Sequence, residues 1–182
     1  MTNLALIGLT VCWMGWLCPF LIRARHGWDR KSAVTVSSSN WGFLLQSIAY
    51  SIVWFPSARQ ISIWQYTASM TIALSSIACA WLAVGHLGKQ WRIRAGLYHD
   101  HELVRSGPYR IVRHPIYASM LGMFMATGLL RSTWAPLLIG LLLFLAGTEI
   151  RVRAEEKLLA ERFGETFRSY KAGVQAYVPY LR

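Results

Sequence analysis

Two groups of residues in this chain have types and spacing that could do chemistry. The first lies between Leu97 and Tyr117 and reads Leu-Tyr-His-Asp-His-Glu-Leu-Val-Arg-Ser-Gly-Pro-Tyr-Arg-Ile-Val-Arg-His-Pro-Ile-Tyr. It is the one long polar stretch with apolar runs on both sides, and it holds three of the five histidines. Proline fixes its own φ and pushes the residue before it out of the α region, so Gly107-Pro108 reads as a turn. His114-Pro115 reads as a helix start, with Pro115 at the first helical position, where its missing N–H costs nothing. That helix turns unpaired N–H groups and its positive dipole end toward the polar stretch, which suits an anionic or acceptor-rich ligand. The second group is Arg151 with Glu155 and Glu156. Arg151 and Glu155 stand four apart and share a helix face. As a plain surface pair they contribute only about 0.2–0.5 kcal/mol. A charge cluster where an apolar helix leaves the bilayer, facing a polar loop, is a functional-site candidate instead.

Other chemistries lack their residues. His99 and His101, beside Asp100 and Glu102, form a single histidine pair, without the His-Glu-x-x-His helix of a zinc protease. No metal is therefore expected. There is no Gly-x-Ser-x-Gly turn for a nucleophilic serine and no glycine-rich phosphate cradle. His86, after Gly85 in an apolar run, reads as a packing histidine. The three cysteines, Cys12, Cys18 and Cys79, all lie in apolar segments, which argues against a disulfide framework or a zinc knuckle.

The elements that must position these groups are transmembrane helices. Hydrophobic residues make up 54% of the 182, charged residues 15%, and there are nine tryptophans. A water-soluble domain carries more charge and less tryptophan. Apolar runs extend from about Leu4 to Ile22, Trp41 to Phe55, Tyr66 to Leu87, Ile116 to Leu130 and Thr133 to Ile150. The expectation is an all-α, polytopic membrane protein of about five transmembrane helices. Arg131-Ser132 makes a tight turn between the last two, which should form a hairpin over residues 115–150. The fifth run continues into a charged helical segment, Arg151 to Phe163, with Gly164 as its C-cap. The aromatic, charged tail beyond it suits the membrane interface. Of nineteen Lys and Arg, all but Arg59 and Arg131 fall after the first run, in the polar stretch or in the tail. The net charge of +11 thus reads as the positive-inside rule rather than as a nucleic-acid surface. It places the polar stretch and the C-terminus in the cytoplasm and the N-terminus outside. A bacterial chain would sit in the inner membrane. No signal peptide is expected.

Here the residues resemble a family. Leu103-Val104-x-x-Gly107-x-Tyr109, Arg113-His114-Pro115-x-Tyr117 and Arg151-x-x-x-Glu155-Glu156 are similar to the isoprenylcysteine carboxyl methyltransferase family. The tail, Phe163-Gly164-Glu165-x-Phe167-x-x-Tyr170, is similar too. Membrane phospholipid N-methyltransferases share the pattern more loosely. The resemblance begins near Gly88. It implies transmembrane helices 1–3 over residues 1–88 and a methyltransferase core over 89–182. It also implies S-adenosyl-L-methionine as cofactor, held by His101, Glu102, Leu103, Val104, Tyr109, His114, Pro115, Ile116, Tyr117 and Glu155. Arg151 would face the substrate carboxylate.

The residue types agree with that chemistry. A carboxylate nucleophile is already ionised at pH 7, its reference pKa being near ~4, so no general base is needed. Positioning and removal of water remain to be supplied. Arg151 can hold a carboxylate through two parallel N–H bonds. Tyr109 and Tyr117 could face a sulfonium as cation–π partners. The acceptor would be a lipophilic, isoprenylcysteine-like molecule entering from the bilayer. One alternative is methylation of an amine, as in phospholipid N-methylation, which needs a base such as Glu155 or Glu156. Another, of a different class, is a non-catalytic scaffold or small transporter.

Overall fold

The computed structural model describes residues 2–27, 34–35, 39–55, 60–91, 96–97 and 102–177. Among these described residues, six α-helices carry the fold: α1 (Thr2–Gly27), α2 (Ser39–Trp54), α3 (Ile63–Leu87), α4 (Pro115–Arg131), α5 (Trp134–Phe163) and α6 (Glu165–Gly173). Short 3-10 turns occupy Gly88–Gln90 and Gly107–Arg110, and Val34–Thr35 pairs antiparallel with Gly96–Leu97. The helices over Asn3–Ala24, Ile63–Leu87 and Trp134–Phe163 are long and apolar enough to cross a membrane. α2 and α4 have 16 and 17 residues. At about 1.5 Å per residue they fall short of a ~30 Å hydrocarbon core.

The expected hairpin is a chain connection rather than the main packing unit. α4 and α5 are joined by Ser132-Thr133 and meet where Phe124 stacks on Phe144, ring centres 5.0 Å apart. Yet α4 packs chiefly on α3, and α5 chiefly on α2. Small residues explain the choice, because they let helix backbones approach in an apolar medium. A Cβ built on Gly147 of α5 would stand 2.6 Å from the Gly42 carbonyl oxygen of α2. Gly122 of α4 likewise lies against Ser76 of α3, whose neighbour Ser69 donates to the Ala126 carbonyl at 2.8 Å. α1 joins this bundle through its tryptophans. The indole N–H of Trp13 donates to Thr127 and that of Trp16 to Ser119, each at 3.1 Å. The outer face of α1 (Leu4, Ile7, Val11, Met14) is exposed and apolar.

α5 runs as one helix of 30 residues from the apolar run through the charged segment. It stops at Gly164, whose φ of +51° is a backbone conformation that side chains with a Cβ rarely adopt. α6 starts immediately after and folds back toward the polar stretch.

The glycine crossing generates a prediction. Gly147→Ala forces a methyl group into backbone and should destabilise by roughly 1–3 kcal/mol, as overpacking does. Gly85→Ala on α3, where nothing lies within 4 Å of the added carbon, should be neutral or stabilising by up to about 1 kcal/mol. Thermal unfolding of both variants in detergent checks the contrast. Equal effects would remove the crossing as the reason for the α2–α5 pairing.

Candidate active site

Three segments converge at the end of the bundle where α5 leaves the apolar region. The turn at Gly107–Arg110 needs a φ of +58° at Gly107, and His86 of α3 packs against that glycine. Tyr109 on this turn is buried, and its carbonyl accepts the Tyr170 hydroxyl of α6 at 2.6 Å. The chain then reaches His114, the residue before α4, with Pro115 at the first helical position. Tyr117, three residues on from His114, lies beside it, ring centres 5.8 Å apart. From α5, Arg151 and Glu155 come to the same place, one turn apart.

These residues surround a cavity of about 440 Å³. Its lining includes Glu102, Leu103, Val104, Tyr109, His114, Pro115, Ile116, Tyr117, Arg151 and Glu155. His101, and His99 before it, lie outside the described residues. Among the described residues no group of His, Cys, Asp and Glu could hold a metal ion.

The charges divide into two layers. Toward the cavity, the Tyr117 hydroxyl donates to Glu155 Oε1, and His114 Nδ1 stands 3.5 Å from Glu155 Oε2. Behind them lies Glu156, only 5% exposed. Its Oε1 receives Nε and Nη2 of Arg113 at 3.0 and 2.6 Å and faces His114 Nε2 at 3.4 Å. Its Oε2 receives Lys171 Nζ of α6 at 2.6 Å. Arg113 also donates to the carbonyls of Lys171 and Val174. The segment after α6 is pinned as well, since Arg113 N–H and His114 N–H donate to the Gln175 and Ala176 carbonyls at 2.7 Å each. The two glutamates therefore differ in use: Glu155 faces the cavity and Glu156 clamps the polar stretch to α5 and α6.

Several lining residues carried no signal in the sequence reading. Trp16, Leu17, Phe20 and Leu21 of α1 and Phe43 of α2 give the cavity an apolar wall. Apolar residues on an apolar helix give no sign of which of them face a cavity. Gln46 of α2 is 2% exposed and accepts from Arg151 Nη1 at 3.1 Å. An amide side chain within an apolar run was the available clue. Gln90 lines the cavity itself and is 4% exposed, and neither of its amide atoms has a hydrogen-bond partner among the described residues.

His114 has both ring nitrogens facing carboxylates. Burial pushes its pKa down, but hydrogen bonds and charge from Glu155 and Glu156 outweigh that, and the net shift is upward from 6.5. A raised folded-state pKa contributes stability that is complete below the unfolded value of about 6.5 and fades as pH rises through the folded one. The melting temperature of wild type should exceed that of His114→Gln most near pH 6, with the gap narrowing as pH rises. A gap that widens with pH would mean that the imidazole is held neutral.

Comparison with known proteins gives the same region. The model of the isoprenylcysteine carboxyl methyltransferase (ICMT) family matches residues 68–161, more than half of the chain. An uncharacterized protein, YpbQ, of Bacillus subtilis (strain 168) is 28% identical over 103 residues, covering 57% of this chain and 61% of that protein. Methanethiol S-methyltransferase of Pseudomonas deceptionensis is 37% identical over 78 residues, 41% of this chain and 27% of that enzyme. The chain thus spans less than two thirds of the length of these relatives. The family match runs from α3 through most of α5 and takes in both the polar turn and the Arg151–Glu155 face of the cavity. On that match, this chain belongs to the isoprenylcysteine carboxyl methyltransferase family.

Proposed function

We propose that this protein is a membrane methyltransferase that uses S-adenosyl-L-methionine to methylate the carboxylate of a lipophilic, isoprenylcysteine-like acceptor. The observation that carries the reading is the cavity itself, with Arg151 and the Tyr117–Glu155–His114 cluster set against an apolar wall. The polar side fits the cofactor. Glu155 offers a carboxylate to a ribose hydroxyl or an ammonium, and the buried amide of Gln90, without a partner among the described residues, would suit a polar ligand. His101, Glu102, Leu103, Val104, Tyr109, His114, Pro115, Ile116 and Tyr117 complete the cofactor side in this reading. The cofactor supplies an electrophilic methyl group on a sulfonium. Methylation of an ionised carboxylate by that group would need no base from the protein. Arg151 holds that carboxylate, and the surrounding apolar residues keep water from it.

The α1–α2 seam supports delivery of the acceptor from the bilayer. At one level the two helices touch, Trp13 lying 5.3 Å from Tyr50 and 6.4 Å from Trp54 between ring centres. Nearer the charges, Leu17, Leu21 and Phe43 are both exposed and part of the cavity wall. The seam is therefore apolar and open to the outer surface at cavity level. In this reading five helices span the membrane, the N-terminus is outside, and the polar stretch and C-terminus meet cytoplasmic cofactor. The protein would work without metal or nucleic acid.

The similarity to methanethiol S-methyltransferase favours a second reading, in which the acceptor is a thiol. A thiol or an amine must first lose a proton, and Glu155 is the base at hand. Incubation of purified protein with methyl-labelled cofactor and a membrane lipid extract separates the readings. The ester reading expects lipid-soluble label released by mild base; a thioether or N-methyl product keeps its label. A reporter fused after Arg182 should read cytoplasmic, and an external signal would put the cofactor side on the wrong face.

Two substitutions split the site. Arg151→Lys keeps the charge but loses the planar two-bond geometry. It should lower turnover by about 10²-fold, the loss expected from misplacing a reactant by ~1 Å, with cofactor affinity nearly unchanged. Glu155→Gln should weaken cofactor binding first. Calorimetry with the cofactor, alongside turnover, reads both. Full turnover in Arg151→Lys would remove the carboxylate anchor.

A further inference from the structure

α2 lies outside the family match, yet it holds the residue proposed above to anchor the acceptor. The aliphatic stem of Arg151 passes through a slot cut by glycine. A Cβ on Gly42 would lie 2.5 Å from Arg151 Cγ and 2.5 Å from the Gly147 carbonyl oxygen. One turn further along α2, Gln46 Oε1 accepts from Arg151 Nη1 at 3.1 Å. The amide is itself fixed, because its Nε2 donates to Thr148 Oγ1 at 2.8 Å. Gln46 is 2% exposed, Thr148 0% and Arg151 9%. The guanidinium carbon is then 5.1 Å from the ring centre of Tyr117 and 6.0 Å from that of Phe43, both in the cavity wall.

Each part of this arrangement constrains the next. Arg151 can only donate, so it takes the oxygen of the Gln46 amide and leaves the nitrogen to donate to Thr148. The amide oxygen fixes one terminal nitrogen of the guanidinium. Gly42 and Gly147 hold α2 close enough for that contact. An amide also adds no charge of its own, so it aims the cation without neutralising it. A glutamate at the same position would place a carboxylate at ion-pair distance.

We propose that Gln46 is a positioning residue that sets charge selectivity for the acceptor: it aims the Arg151 guanidinium into the cavity as a docking point for an anionic head group. This inference rests on the reading of Arg151 as the acceptor anchor, and it adds a determinant from the half of the chain that the family pattern does not cover.

The test compares wild type with Arg151→Lys, Gln46→Leu, Gln46→Glu and Gly42→Ala in detergent. Binding of S-adenosylhomocysteine by calorimetry serves as the control for folding and for the cofactor side. The acceptor probes are N-acetyl-S-farnesylcysteine and its neutral methyl amide, read as binding to the cofactor-product complex and, for the acid, as KM and kcat. The inference expects unchanged S-adenosylhomocysteine affinity in all four variants. Gln46→Leu should raise KM for the acid by about 10-fold or more, the loss of one hydrogen bond to a charged group. Gln46→Glu should raise it further and abolish the preference of wild type for the acid over the amide. A purely structural role for Gln46 would instead weaken both probes and the cofactor product together. If Arg151→Lys impairs the acid but both Gln46 variants bind it as wild type does, the positioning role is overturned while the anchor stands. If wild type does not prefer the acid, both are overturned.

Discussion

Two adjacent carboxylates at the end of an apolar helix are the constraint from which the rest of this site follows. Consecutive helical residues point about 100° apart, so Glu155 and Glu156 cannot share one environment. Glu156 is nearly buried, and a buried carboxylate is tolerated only when it is paired and hydrogen-bonded. Its partners come from separate places: Arg113 and His114 from the approach to α4, and Lys171 from α6. Satisfying this one group therefore gathers three segments. Once they are gathered, His114 and Tyr117 are in place to receive Glu155, and the cavity has its polar side.

Much of that polar side was legible before any coordinates. Proline after His114 announced a helix start, and four-residue spacing put Arg151 and Glu155 on one face. Both follow from local backbone geometry, which sequence records directly. The partner of Arg151 was another matter. Four-residue spacing put Glu155 on its face, and the packed structure adds Gln46 from a helix more than one hundred positions away. Helix pairing was equally hidden. Two polar residues between α4 and α5 invited a hairpin, but which helices lie closest is decided by where small residues meet, and Gly42 with Gly147 can be matched only in three dimensions. The apolar wall of α1 was hidden for a simpler reason. Lipid-facing and cavity-facing leucines are the same residue type, and a nearly uniform apolar helix carries no stripe to tell them apart.

The family match and the first two helices also divide the cavity in a suggestive way. Residues 68–161 contribute the polar turn, the start of α4 and the Arg151–Glu155 face. α1 contributes Trp16, Leu17, Phe20 and Leu21 and α2 contributes Phe43, with Gln46 of α2 behind the wall on Arg151. In the function proposed above, the first set would hold the cofactor and the acceptor's head group, and the second would shape the space left for the rest of the acceptor.

The strand-like contact between residues 112–114 and 175–176 bears on how the protein is made. The N–H groups of Arg113 and His114 find their acceptors only in carbonyls some sixty positions later in the chain. The apolar helices all precede those acceptors in the chain, so the bundle can form before they are in place. Docking of α6 and the residues after it then closes the polar side. A chain cut back before residue 171 would keep α1 to α5 and yet lack Lys171 and both backbone acceptors. That is a state which quality control based on insertion alone would pass.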